Sequence, residues 1–418
     1  MRITVKNIID VSLVLIFFAG YQGGKYFFHN RFQEIGIAIT LSLFLYSAIK
    51  VAISGREERW AWWFWSAPLL VLYTMGIASI TFSVYSETPT MLSFFATREF
   101  LIVFLAPTLY FIYKLGYPIE RLERVFVISL VIIIFNYLLH YFRIDLQAAY
   151  FSGDGYMEYL VTHDEWRGYR LKPPTFALFI ITLYIFMYLF QKRTLLKKCL
   201  WFLMLCIVGY VWFLIKARSQ MATMALAMMI YPFLFSRPNR INILLLVAPI
   251  VLSFIMLVSA VLIENFVNED RVRAKSFSTA IENINKYPIL GYGQGSNFGK
   301  NYQDIFGPKF FPSDLGIIGI TFKYGFTGAF LYFFFNFFLF KRLIQANWHY
   351  RHHYQSHDPV IWALLVWITA MTINLILNPG LAYMQGLTTA SFVIGLTACY
   401  QSVLLKSNRT LFLENFHS

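Results

Sequence analysis

The sequence predicts an all-α protein that crosses a membrane many times, with its 418 residues forming a single transmembrane domain. Hydrophobic residues make up 58% of the chain and charged residues only 13%, whereas about a quarter of the residues of a water-soluble domain are charged. Apolar runs of about 20 residues, the length an α-helix needs to cross ~30 Å of hydrocarbon, recur along the chain. The runs are continuous rather than alternating, which excludes a transmembrane β-barrel.

The apolar runs predict about twelve helical spans, each bounded by charged or turn-forming residues. The first run follows a short basic segment and lacks a small-residue cleavage site, so we expect it to remain as a helix and not to be removed as a signal peptide. The predicted spans are residues 8–24, 36–54, 60–81, 99–114, 124–142, 175–191, 199–215, 218–235, 241–263, 315–340, 360–377 and 380–404.

The net charge of +14 predicts anionic partners. The Lys and Arg residues cluster between the apolar runs, which favours lipid headgroups and an anionic substrate over nucleic acid. The connections that would share a side with the two termini carry more Lys and Arg close to the span ends, which places both termini in the cytoplasm. The short opposite connections hold few basic residues, namely Lys25, Arg31, Arg98, Lys216 and Arg218.

Two long loops, residues 143–174 and 264–313, then face outward. In the second loop, Phe277, Ala280, Ile281 and Ile284 recur at helical spacing, which predicts an amphipathic helix that ends before Pro288. The glycines of residues 291–299 predict a tight turn. A nucleotide-binding loop is disfavoured there, because no strand precedes the glycines and no Gly-Lys-Ser/Thr follows.

Three basic clusters lie on the predicted outer side, and each has a functional and an ordinary interpretation. Arg binds phosphate oxygens through a planar fork, so the clusters together predict a clamp for a diphosphate. Alternatively, the side chains reach into lipid headgroups or are solvated at loop ends. The clusters are Lys216 with Arg218, Arg271 with Arg273, and Arg167 with Arg170 and Lys172.

Asp314 opens the tenth predicted span at the outer mouth of the bundle. A carboxylate at that position can act as a general base towards an attacking hydroxyl. It can also cap the helix, as can Ser313, by accepting hydrogen bonds from the first N–H groups. Both roles remain open, and they are compatible with each other.

Several short motifs occur together in and beside the predicted outer segments. Arg273 is followed fifteen residues later by Pro288-Ile-Leu-Gly-Tyr-Gly. Asp314 then precedes Gly325-Phe-Thr-Gly, and Arg218-Ser219 opens another span. Together these motifs resemble the O-antigen polymerase and O-antigen ligase superfamily. The resemblance implies a membrane glycosyltransferase with a GT-C-like fold, which sits in a bacterial inner membrane with its active site and both long loops in the periplasm.

The resemblance also implies a reaction that uses neither a metal nor another cofactor. Arg218 and Arg273 stand where the superfamily carries diphosphate-binding arginines, and Asp314 stands where the ligases carry an essential histidine. A polymerase of undecaprenyl-diphosphate-linked repeat units is therefore favoured, with a chain-length regulator as a possible partner. A ligase that transfers glycan to the lipid A core and a transporter of lipid-linked sugars remain the alternatives; Lys323 is the one clear charge within a predicted span.

Overall fold

A computed structural model describes most of the chain, in eleven ranges of residues. The described residues are 4–27, 31–54, 66–164, 168–191, 194–215, 218–235, 270–295, 301–308, 310–354, 356–373 and 382–417.

The described residues form helices joined by short connections, and the prediction of an all-α architecture is confirmed. The α-helices of the first half are α1 (Val5–Gly20), α2 (Arg31–Ile53), α3 (Ser66–Val71), α4 (Ala78–Ser86), α5 (Thr90–Ala96), α6 (Leu105–Lys114), α7 (Ile119–Arg143), α8 (Leu146–Tyr150), α9 (Gly155–Leu160) and α10 (Thr175–Phe190). Those of the second half are α11 (Leu195–Ile215), α12 (Arg218–Phe235), α13 (Asp270–Lys286), α14 (Tyr302–Phe306), α15 (Gly316–Tyr354), α16 (Pro359–Ile373) and α17 (Met384–His417). A π-helical turn (Leu72–Ile77) joins α3 to α4, and 3₁₀ turns occupy Gly23–Tyr26, Arg98–Phe104 and Pro312–Asp314.

Five of the described helical segments are long and apolar enough to cross a membrane, and the number rises to six if a bent pair counts as one span. The bent pair, Thr90–Ala96 and Arg98–Lys114, turns by 49°. A described helix lies at every predicted span except 241–263, which falls outside the described residues. The total of twelve spans remains a prediction. The five segments are Arg31–Ile53, Pro68–Ser86, Ile119–Arg143, Leu195–Ile215 and Gly316–Arg351.

The helices pack side by side in a closed order. α1 contacts α2 and α7; α6 lies between α2 and α17; α15 lies between α17 and α16; and α10 lies between α16 and α7. α16 and the first part of α17 are buried almost all round, with Trp367 and Phe392 fully enclosed. Apolar helices of this kind belong inside a bundle. By contrast, α15 exposes large apolar side chains such as Phe330 and Phe337, at 70% and 66% of their surface, as expected of a face turned to lipid.

Hydrogen bonds show which connections share an end of the bundle. The Lys25 ammonium donates to the Pro173 carbonyl, and the Tyr383 hydroxyl donates to the Ser313 carbonyl. Gln385 donates to the side chain of Gln22. We call this end, which gathers residues 21–27, 144–164, 168–174, 312–315 and 382–385, the loop end. The start of α7 and the last turns of α15 lie at the opposite end, because Tyr400 donates to Glu123 and Arg342 bonds to Gln401. The predicted membrane topology, including the cytoplasmic placement of both termini, remains a prediction.

The first long loop contains a β-hairpin that the sequence did not predict. Strands β1 (Val161–Asp164) and β2 (Gly168–Leu171) pair antiparallel, with Val161 opposite Leu171. Both of these side chains are buried. The hairpin is too short to show the run of alternating residues from which strands are recognised in a sequence.

The second long loop builds a small core on the loop end. α13 turns Ala280 and Ile284 inward, where both are buried against Phe322 of α15. These are two of the four residues whose spacing predicted an amphipathic helix, and α13 ends two residues before Pro288. The loop is therefore folded onto α15 along this stretch.

Candidate functional site

The helix α15 is broken at Gly325. Its backbone angles there are φ 66° and ψ −173°, far from helical values. This is a region that residues with a side chain avoid. The break divides α15 into a short part, residues 316–324, and a long part, residues 326–354, which at 1.5 Å per residue still extends about 43 Å.

Residues 287–295, which we call the crossing segment, supply the hydrogen bonds that the broken helix lacks. The N–H groups of Tyr292 and Gly293 donate to the carbonyls of Phe322 and Lys323, at 2.7 and 2.9 Å. In return, the carbonyls of Pro288 and Ile289 accept from the N–H groups of Phe326 and Thr327, at 2.8 and 3.3 Å. Non-helical backbone within a membrane protein is tolerated only when its polar groups are paired in this way.

Glycine is required at two positions of the crossing segment. Gly291 and Gly293 have φ angles of 72° and 97°. A Cβ atom at Gly291 would lie 2.7 Å from the Phe322 carbonyl oxygen, and one at Gly293 would lie 2.5 Å from the Ala78 carbonyl oxygen. The glycines therefore serve both the tight turn expected from the sequence and the close approach to α15 and α4.

Tyr302 holds the end of the crossing segment in place. Its hydroxyl donates to the Gly293 carbonyl and accepts from the Gly295 N–H, at 2.5 and 2.7 Å. Burial raises the pKa of Tyr302 above its ordinary value, so the phenol stays protonated at physiological pH. The ring packs on Phe82 and Phe322, which ties α4, the second long loop and α15 together.

Several polar side chains lie close to the break in α15. Tyr324 donates to the side-chain oxygen of Gln294 at 3.0 Å, and Tyr73 donates to the Tyr324 carbonyl at 2.7 Å. Glu99 lies within electrostatic reach of Lys323. The Lys323 ammonium also lies 5.8 Å from the centre of the Tyr302 ring. Intramembrane ionisable groups are costly, so a pair of them beside a broken helix indicates a functional site.

Sequence analysis identified Lys323 but missed Glu99. Glu99 stands at the first residue of a predicted span, next to Arg98, where it looks like an ordinary charge at a helix boundary. The available signal was the position of an acidic residue at an apolar boundary, and that signal is weak by itself.

One basic cluster is partly visible in the described residues. Arg170 of β2 lies with its guanidinium Nη1 3.5 Å from the Ile215 carbonyl, at the end of α11. Ile215 directly precedes Lys216, and α12 begins at Arg218. The fold therefore brings the end of α11, which directly precedes the first predicted cluster in sequence, beside the Arg170 side chain.

Lys25 lies in the same region, although nothing in the sequence indicated that it belongs to a candidate site. Its ammonium donates to the Pro173 carbonyl at 3.3 Å, and only 6% of its surface is exposed. Burial, and after it the charge of Lys172, lowers the pKa of Lys25 to about 7. Two lysines thus share the loop end with Arg170.

The remaining predicted site residues are described only in part. Arg167 and Lys216 lie outside the described residues. For Arg218, Arg271 and Arg273 the structure gives backbone positions, which are the first turn of α12 and the first turn of α13. The convergence of these arginines on one diphosphate therefore remains a prediction.

Asp314 lies in the 3₁₀ turn Pro312–Asp314, two residues before α15 begins at Gly316. The Leu315 carbonyl accepts from the N–H groups of Ile318 and Gly319, so Leu315 occupies the capping position. Capping of α15 by the side chain of Asp314 or Ser313, the alternative that is compatible with catalysis, remains a prediction. Asp314 as a general base remains a prediction.

No model of a protein family matches the chain, and a search among curated proteins found no match. Within the part of the chain that the structure describes, no group of three or more His, Cys, Asp or Glu side chains is arranged to hold a metal ion.

Proposed function

We propose that the protein is a membrane glycosyltransferase that polymerises glycan repeat units carried on undecaprenyl diphosphate at the periplasmic face of a bacterial inner membrane. The observation that carries the proposal is the approach of Arg170 to the Ile215 carbonyl. It supports a clamp in which Arg170 and the residues that follow α11, Lys216 and Arg218, act on one anionic headgroup. The motif resemblance of Arg218, Arg273 and Asp314 supports the choice of a diphosphate.

The chemistry assigned to the clamp is leaving-group stabilisation. A sugar hydroxyl of the incoming unit attacks the anomeric carbon of the growing chain, and the bond from that carbon to the diphosphate oxygen breaks. Negative charge develops on the diphosphate, where fixed guanidinium groups lower the barrier. Arg218 and Arg273 are the main donors in this proposal, with help from Arg271, Lys216, Arg167 and Arg170. Asp314 takes the proton of the attacking hydroxyl, and attack opposite the diphosphate inverts the anomeric centre.

A transporter of lipid-linked sugars is the second candidate. The observation that favours it is the break in α15 at Gly325 next to Glu99 and Lys323, because interrupted helices and buried charges also form the binding sites of transporters. A ligase acting on the lipid A core would use the same donor chemistry as the polymerase and differ only in its acceptor.

One experiment separates the three functions. The gene is deleted and the surface polysaccharide is resolved on a gel, while lipid-linked intermediates are extracted and located. A polymerase predicts surface glycan with a single repeat. A ligase predicts a full-length polymer that stays on its lipid carrier. A transporter predicts single lipid-linked units retained on the cytoplasmic leaflet, and either of the last two results overturns the polymerase.

The clamp is tested in the same host with variants of Arg170. Arg170→Ala should shorten or abolish the polymer at unchanged protein level, and Arg170→Lys should restore only part of it, because lysine keeps the charge and loses the bidentate fork. Arg143→Ala is the matched control, since Arg143 is also at the loop end and is exposed. Normal chain lengths in Arg170→Ala would refute the role of Arg170 in the clamp.

A further inference from the structure

Four ring side chains of the first long loop gather on one face of the β-hairpin. His163 of β1 lies opposite Tyr169 of β2, with the ring centroids 4.4 Å apart. The ring of Tyr150, the last residue of α8, lies 5.7 Å from that of His163 and 5.5 Å from that of Tyr169. The ring of Phe151 lies 6.0 Å from that of Tyr169. We call Tyr150, Phe151, His163 and Tyr169 the aromatic cluster.

Hydrogen bonds and packing hold the two elements that carry the aromatic cluster. The side chain of Asp145 caps α8 by accepting two backbone hydrogen bonds, each of 3.0 Å. The Lys172 N–H donates to the Leu160 carbonyl at 2.8 Å and extends the pairing of the hairpin. Val161 and Leu171, which share the face of the cluster, are buried. The rings are therefore carried by backbone that is anchored to the rest of the protein.

The aromatic cluster is accessible from outside the protein. The side chain of Phe151 exposes 67% of its surface, and His163 is also exposed. Tyr150 and Tyr169 are half-buried. Contiguous exposed ring surface of this kind marks an interaction site.

The charge of the loop indicates which partner covers the cluster. Residues 144–171 contain five Asp or Glu and two Arg, in a chain whose net charge is +14. Segments that attach to anionic lipid headgroups are basic, so a membrane surface is disfavoured as the partner. A molecule with many hydroxyl groups fits better, because hydroxyls donate to carboxylates while the C–H face of a sugar packs against aromatic rings. The aromatic cluster is therefore suited to an uncharged glycan.

The hairpin turns its other face towards the proposed clamp. Thr162 and Arg170 are the next pair of opposite residues, and alternate residues of a strand point to opposite faces. The Arg170 guanidinium contacts the end of α11, on the side away from the aromatic cluster. A sugar bound to the cluster is therefore separated by the hairpin from a diphosphate bound at Arg170.

We propose that the aromatic cluster is a second glycan-binding site, which holds sugars of the growing chain at a distance from its diphosphate. The choice of the growing chain as the ligand rests on the proposed function. No bond is made or broken at the cluster. A chain that stays bound there between additions is extended again before it leaves, so the cluster increases the length of the polymer.

The test measures binding separately from polymerisation. Purified full-length protein in detergent is titrated calorimetrically with the lipid-free glycan that mild acid releases from the surface polysaccharide of the host. Phe151→Ala should raise the dissociation constant at least about fivefold, the loss expected when a central aromatic of an interface is truncated. Phe151→Tyr keeps the ring and should bind within twofold of the wild-type protein. In the host, Phe151→Ala should give shorter chains at an unchanged protein level.

Phe142→Ala is the matched control. Phe142 is the same residue type, exposes the same 67% of its surface, and lies at the end of α7 with its ring against Tyr210, outside the aromatic cluster. This variant should leave both the dissociation constant and the chain length at their wild-type values.

Two results overturn the glycan-binding site. One is the absence of glycan binding to the wild-type protein. The other is a dissociation constant for Phe151→Ala that equals that of Phe142→Ala; if Phe151→Ala then lowers the melting temperature only in lipid vesicles, the cluster contacts the membrane instead. The proposed function is judged independently by the deletion strain, so a host that keeps its polymer without the gene refutes polymerisation and leaves the binding result standing.

Discussion

Replacing Gly325 by alanine tests the architecture of the broken helix directly. Alanine adds a Cβ atom at a position where the backbone has a φ angle of 66°, and the new atom would lie 2.6 Å from the Leu290 nitrogen of the crossing segment. Real Cβ atoms do not approach other heavy atoms so closely. Either the crossing segment moves away or α15 closes into a continuous helix, and both changes remove hydrogen bonds of the break.

The expected cost follows from two contributions. A residue with a side chain in this backbone region costs on the order of 1–3 kcal/mol. Four backbone hydrogen bonds join the crossing segment to α15. Loss of two of them costs roughly 1 kcal/mol each. We therefore expect Gly325→Ala to lower the free energy of unfolding by about 3–5 kcal/mol, a large part of the total stability of a folded protein.

The assay is reversible unfolding in detergent, followed by tryptophan fluorescence, with Gly209→Ala as the control. Gly209 lies within α11, and a Cβ atom there would meet nothing within 4 Å. Alanine at that position should stabilise the helix by about 0.5–1 kcal/mol, because glycine is a poor helix former. If the free energies of unfolding of Gly325→Ala and Gly209→Ala differ by less than about 1 kcal/mol, the backbone hydrogen bonds between the crossing segment and α15 are not a feature of the folded protein.

Three further predictions concern the loop end and the break. Since the pKa of Lys25 falls from its ordinary 10.5 to about 7, the unfolded chain binds more protons between these values, so stability should rise with pH across this interval. The free energy of unfolding should increase by up to about 5 kcal/mol across this interval, and the increase should be absent in Lys25→Met. The same dependence on pH in Lys25→Met as in the wild-type protein would contradict the lowered pKa of Lys25. Asp314→Asn should slow polymer formation ~100-fold or more at unchanged protein level, and full activity in membranes would reject a general base. Tyr73→Phe removes the hydroxyl that donates to the Tyr324 carbonyl, so the protein should lose about 1 kcal/mol in the detergent assay; a wild-type unfolding curve would argue against this bond.

The amino-acid sequence by itself determined the features that depend on neighbours along the chain. Continuous apolar runs identified the helices, because a helix that faces lipid needs a side-chain composition rather than a specific partner. The spacing of Ala280 and Ile284 identified the buried face of α13, and the glycines at 291 and 293 identified a tight turn. Each of these is a local property that a short window of residues carries.

The tertiary structure alone decided where the chain crosses itself. Gly325 sits in a sequence that also suits an unbroken helix, and only the crossing segment, about thirty residues earlier, provides the hydrogen bonds that make a break stable there. Glu99 and Lys323 are ordinary charges along the chain, and only the folded chain brings their side chains within electrostatic reach of each other. Arg170 reaches the end of α11 through a hairpin too short to predict. These contacts join segments that are far apart in the sequence, and no local sequence pattern shows which segments pack together.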